Sequence, residues 1–104
     1  MSYHAAVMYP NDEDITFDES YYLQTHMPLV EKIWKKHGLV SWKIIKYTTA
    51  LDGSRSKFLI AANLVWESED AAKKALQDPE SPKVFEDIPN FTNKQPITLA
   101  GVGL

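Results

Sequence analysis

The sequence predicts a single α+β domain in which two helices cover one face of a four-stranded antiparallel sheet. Three observations carry this. Strand and helix patterns follow one another as strand–helix–strand–strand–helix–strand. An Asp-Gly pair, Asp52-Gly53, marks a hairpin between the two middle strands. And 104 residues leave room for one core only, so residues 1–104 form one domain.

Tyr3 to Tyr9 reads as the first strand, closed by Pro10. It is apolar at nearly every position, as in a strand buried on both faces. An acidic turn segment runs from Asn11 to Phe17. Asp18 is a good helix N-cap, with Glu19 in the first turn where the helix dipole favours a carboxylate. The helix is expected through Tyr21-Tyr22-Leu23, to bend near Pro28, and to continue through Val30, Ile33 and Trp34. Pro28 removes a backbone donor, which is the reason for the bend. His37-Gly38 ends the helix with a residue suited to the left-handed cap.

Val40 to Thr49 reads as the second strand, with Trp42 and Ile44 on one face and Ile45 and Tyr47 on the other. Lys57 to Trp66, the third, is again apolar on both faces. Ser68 caps a second helix through Leu76, with Glu69 and Asp70 ahead of Lys73 and Lys74. Ser81-Pro82 starts a further helical turn through Phe85, and the segment from Thr92 to Leu104 supplies the last strand, Ile97 to Gly103.

This order is the ferredoxin-like split βαβ arrangement. Two helices cover only one sheet face, yet the first and third strands are apolar on both. Leaving the second face wet would expose more apolar surface than monomers tolerate. The expectation is a homodimer packed through that open face.

Composition removes several classes of function. The apolar fraction is 44%, the charged fraction 24% and the net charge −3, with the signs mixed along the chain. The only dense basic spots, Lys35-Lys36 and Lys73-Lys74, do not make a nucleic-acid footprint. Cysteine is absent, which excludes thiolate chemistry and cysteine-based metal sites. No leader pattern and no run of about 18 apolar residues is seen, so a soluble, cytoplasmic protein without a membrane partner is expected.

Two residues stand out for chemistry. His26 lies four residues after Tyr22 and two before Pro28. A helix kink frees backbone carbonyls that can orient an imidazole, and imidazole suits acid–base work near neutrality. The competing reading is a helix histidine satisfied within the fold. Asp87, between Phe85 and Phe91, either pairs with such a histidine or hydrogen-bonds its own loop. Tyr9, Trp42, Tyr47, Trp66 and Phe91 are candidates, with Tyr22, for lining an apolar pocket. The alternative for each is core or interface. His4 and His37 are assigned to structure, and Asn11-Asp12-Glu13-Asp14 matches a calcium loop only weakly.

Met8-Tyr9-Pro10, Phe17-Asp18-Glu19-Ser20-Tyr21-Tyr22, His26-Met27-Pro28-Leu29-Val30 and Asp87-Ile88-Pro89-Asn90-Phe91-Thr92 together resemble the EthD family, over almost the whole chain. That family takes its name from a protein linked to ethyl tert-butyl ether degradation. The resemblance implies a ferredoxin-like protomer in a dimeric α+β barrel, and it adds weight to His26, Asp87 and Tyr22, which match the family's motif positions. Related barrels include isomerases, cyclases, cofactor-free monooxygenases and haem-associated enzymes, a breadth that does not select a reaction.

The leading expectation is a protein of a catabolic or secondary-metabolite pathway that binds a small, largely apolar molecule without a cofactor. His26 would be its acid or base, Asp87 would orient His26, and Tyr22 would donate to a developing oxyanion. The alternatives are a non-catalytic auxiliary or ligand-binding protein of a degradation pathway, and haem binding through His26.

Overall fold

A computed structural model describes residues 2–104. Strand β1 (Tyr3–Pro10) pairs with β3 (Phe58–Trp66) on one side and β4 (Ile97–Val102) on the other, and β2 (Leu39–Lys46) closes the far side of β3. The sheet order is β2-β3-β1-β4 and all pairings are antiparallel. This is the ferredoxin-like order. The turn between β2 and β3 rests on Gly53, whose φ of 86° lies where a side chain would be strained.

Alternation divides the sheet cleanly. The partners Tyr9↔Ile60, Val7↔Ala62 and Ala5↔Leu64 face the helices, with Trp42 and Ile44 of β2 beside them. That side holds the core, built with Met27, Val30, Ile33, Trp34, Ala75 and Val84 from the helices. The opposite face carries Ala6, Met8, Ile45, Val65 and Leu99, and no element among the described residues covers it, whereas Leu59, at the irregularity opposite Tyr9 and Pro10, packs against the core. The two-sided apolar pattern of β1 and β3 is thus explained by a covered face and an uncovered one.

The first helical arm has four parts: α1 (Glu19–Tyr21), a π-helical turn (Tyr22–His26), α2 (Met27–Trp34) and a 3₁₀ turn (Lys35–His37). Asp18 caps it as expected, its carboxylate accepting from the Tyr21 amide at 3.0 Å. Gly38 ends it in the left-handed region at φ 103°. The bend expected at Pro28 takes the form of the π turn instead of a break. The Met27 amide bonds the Tyr22 carbonyl five residues back. A wider turn accommodates a proline that cannot donate and whose ring crowds the preceding turn. Helix α3 (Glu69–Leu76) is capped by Ser68, and α4 (Pro82–Glu86) starts with its proline at the first helical positions.

Two boundaries differ from the sequence reading. Strand β2 starts at Leu39 and stops at Lys46, and its register shifts between Leu39 and Ser41, leaving Val40 outside the regular pairing. Within the segment from Thr92 to Leu104, strand β4 takes up Ile97–Val102, one residue short of the expected end at Gly103. Thr92 is occupied elsewhere, in a bridge to Phe17, while Asn93 accepts from the Thr16 amide at 2.9 Å. Among the described residues no helix is long and apolar enough to cross a membrane.

Candidate active site

The site is assembled from the π turn and the loop that follows α4. Loop 87–93 is tied to the start of the helical arm by the Phe17↔Thr92 bridge and by the Asp18 amide donating to the Phe91 carbonyl at 2.8 Å. This anchorage sets Asp87 against His26. Oδ2 of Asp87 lies 2.9 Å from Nδ1 of His26, and both side chains are largely withdrawn from solvent. Asp87 Oδ1 accepts from the Tyr21 hydroxyl at 2.5 Å and from Asn90 Nδ2 at 2.9 Å.

The electrostatics fix the protonation pattern. Desolvation pushes the Asp87 carboxyl up, but hydrogen bonds from Tyr21, Asn90 and His26 together outweigh it and hold the group below its ordinary value. Asp87 is therefore a carboxylate and only accepts. Burial lowers the His26 pKa more than Asp87 raises it, so the ring is neutral near pH 7. A neutral imidazole facing a carboxylate through Nδ1 carries its hydrogen there, which leaves a lone pair on Nε2.

The π turn explains how Tyr21 and His26 reach one carboxylate. At 3.6 residues per turn, side chains five apart point roughly 140° away from each other. The i→i+5 turn brings them toward the same side. His26 itself is held between rings, stacked on Tyr22 (centroids 5.4 Å, interplanar 13°) and tilted on Phe91 at 4.6 Å.

Beyond the imidazole lies a cavity of about 60 Å³ between sheet and helices, walled by Tyr9, Tyr22, His26, Met27, Val30 and Ile88 among others. Nε2 makes no hydrogen bond within the chain, and no buried side-chain polar atom is sealed without a partner among the described residues. The Tyr9 and Tyr22 side chains are 1% exposed. Burial raises both phenol pKa values, Tyr9 further by its closeness to Tyr22, so both remain hydroxyl donors at any working pH. The chamber thus combines one free base and two phenols in an apolar wall.

The structure brings His26, Asp87 and Tyr22 together, and Tyr9 with them. The other expected pocket residues are dispersed. Phe91 backs His26 from the core side and is buried. Trp66 borders a neighbouring cavity and not this one, Trp42 packs against the core, and Tyr47 follows β2 on the side of Ile45, the open face. Alternation in β2 and β3 carried the face of each, whereas nothing local fixes distance from His26. Tyr21 and Asn90 went unnoticed in the sequence. Their signal was a π turn that helical periodicity does not anticipate. The acidic turn holds Lys94, which lies 2.8 Å from Asp14 and 3.5 Å from Asp12.

Similarity to known proteins agrees with this layout. An EthD-like protein from Ralstonia eutropha JMP134 superposes with a TM-score of 0.85 at 23% identity, covering 96% of this chain and 89% of that one. An ethyl tert-butyl ether degradation (EthD) family protein from Bacillus halodurans C-125 gives 0.79 at 22% identity, with both chains fully covered. SnoaB, a cofactor-independent oxygenase from Streptomyces nogalater, gives 0.64 at 11% identity over 98% of this chain and 90% of its own. A comparison with proteins of curated function gave no match. The EthD domain matches residues 12–95, a span that holds the π turn, His26 and Asp87, and the chain belongs to the EthD family.

Proposed function

We propose that this protein is a cofactor-independent acid–base catalyst that removes a proton next to a carbonyl in a small, largely apolar molecule. One observation carries the reading. His26 is neutral, its Nδ1 is held by the Asp87 carboxylate while Nε2 has no partner among the described residues, and its ring lines an apolar chamber walled also by Tyr9 and Tyr22. In the step, the C–H bond breaks and its proton goes to Nε2. The electron pair becomes an enolate, whose oxygen accepts from the Tyr22 hydroxyl or that of Tyr9. Asp87 stabilises the imidazolium that forms. Return of the proton to another carbon completes an isomerisation. Attack of the enolate carbon on a second carbonyl of the same molecule, whose oxygen takes the proton, completes a cyclisation. Expulsion of a β-hydroxyl, which takes the proton and leaves as water, completes a dehydration. An oxygenase role, as SnoaB's name describes for that protein, would begin from the same carbanion.

The working form is a homodimer packed through the open sheet face, supported by the large apolar residues Met8, Ile45, Ile97 and Leu99 on a face the described residues leave bare. Haem ligation by His26 is disfavoured, because a macrocycle does not fit a chamber of 60 Å³.

The test is solvent deuterium exchange at the carbon next to the carbonyl of small ketones, followed by NMR. Wild-type protein is expected to catalyse exchange, and His26→Gln to lose roughly 10²–10⁴-fold while remaining folded. Equal exchange by both would end the reading. Unaltered ligand affinity with no exchange in either would favour a binding protein instead.

A further inference from the structure

The His26 chamber is too small to be a complete substrate site. Small-molecule pockets usually run to about 300–1,000 Å³, and this one measures about 60 Å³. A second cavity of about 350 Å³ adjoins it. The two share five wall residues, Val7, Trp34, Leu64, Phe85 and Thr98. From those shared wall residues the larger chamber runs along β1 and β4 to Trp66, Ala72 and Leu76.

The chambers differ in chemistry. The inner one has the base and both phenols. The outer one has no carboxylate and no histidine, and its wall is largely aliphatic and aromatic, with Trp34 and Trp66 only 5.5 Å apart. Its one charged residue, Lys73, faces Glu69 one helical turn away at 3.6 Å, so no unbalanced cation calls for an anionic group. Phe85 and Leu76, both on its wall, are 49% and 53% exposed, so this chamber reaches the surface beside them.

From this geometry we infer that the substrate is an elongated, uncharged carbonyl compound, its carbonyl end in the His26 chamber and a long apolar body in the outer one. The inference rests on the proposed function for the carbonyl end only; the occupant of the outer chamber follows from the five wall residues the two cavities share, which a bound molecule would part, and from the apolar wall.

The test uses the homologous series butan-2-one, hexan-2-one and nonan-2-one on the full-length protein. Affinity is read from tryptophan fluorescence, since Trp34 and Trp66 border the outer chamber, and chemistry from deuterium exchange. Affinity should rise with each methylene, by up to roughly fourfold at full burial. Ala100 is exposed and borders the outer chamber but not the His26 chamber. Ala100→Trp should fill that space and flatten the dependence on length, and Leu76→Gln should weaken it by making the wall polar. A flat series in the wild type, or a slope that survives both substitutions, overturns the inference. So does a dimer that Ala100→Trp dissociates in native mass spectrometry, which would make the chamber an interface between copies. A length-dependent affinity without any exchange leaves the two-chamber site standing and removes only the acid–base reading.

Discussion

At the scale of single residues, the site is a chain of partners in which each member fixes the next. Asn90 and Tyr21 hold Asp87 as a carboxylate, Asp87 fixes the His26 tautomer, and the tautomer frees Nε2. Tyr21→Phe removes one donor to a charged acceptor. It should raise the Asp87 pKa and slow exchange less than His26→Gln does, a difference that paired rate and NMR titrations would show. The pH dependence has a definite sign. The folded pKa of His26 lies below its ordinary 6.5, so the unfolded chain binds the extra proton first. Stability should therefore be complete above pH 6.5 and fall as pH drops below it, with an acid limb in exchange activity also below 6.5. Urea unfolding at pH 7.5 and 5.5 should show a smaller loss in His26→Gln than in wild type; equal losses would contradict the assignment of this proton to His26.

At the scale of elements, caps and turns were legible because their causes are local. Asp18, Ser68, Gly38 and Asp52-Gly53 act through their own backbone, and each was found where its chemistry placed it. The pairing of His26 with Asp87 was an open alternative in the sequence, since 61 residues separate them and the loop is brought across by the Phe17↔Thr92 bridge and its neighbouring bonds from Asp18 and Thr16. The pocket aromatics were less legible still, because alternation assigns a face and not a position along it. The second helical layer depends on a contact equally invisible in sequence. Trp34 Nε1 donates to Ser81 Oγ at 2.8 Å, and that hydroxyl donates to the Ala75 carbonyl. Ser81 is 1% exposed, so Ser81→Ala strands the buried Trp34 N–H and takes one donor from the Ala75 carbonyl, which keeps the Asp78 amide at 3.1 Å. It should cost about 1–3 kcal/mol in denaturant unfolding, and a cost near zero would mean that these groups find other partners.

At the scale of the whole molecule, the sheet has one covered face and one bare one, and the bare one sets the association state we propose. Ile97 lies on it at 49% exposure, so a charge there should be tolerated by the protomer. Ile97→Asp is expected to turn a dimer into a monomer in native mass spectrometry with little change in secondary structure. A dimer unaffected by this charge would place the contact elsewhere. The two-faced pattern in β1 and β3 made this surface readable from the sequence, while the identity of whatever covers it is a property of more than one chain.

The π turn has a consequence for how such a site arises and is lost. A five-residue turn differs from an ordinary helical one by a single residue, so deletion of one codon within Tyr22–His26 leaves a regular helix and no loop to repair. That deletion would swing Tyr21 away from Asp87 while α2 and the sheet keep their packing. Within a lineage, the machinery at His26 can thus be switched off in one genetic step that the fold survives, and a scaffold emptied in this way is free to be kept for binding alone.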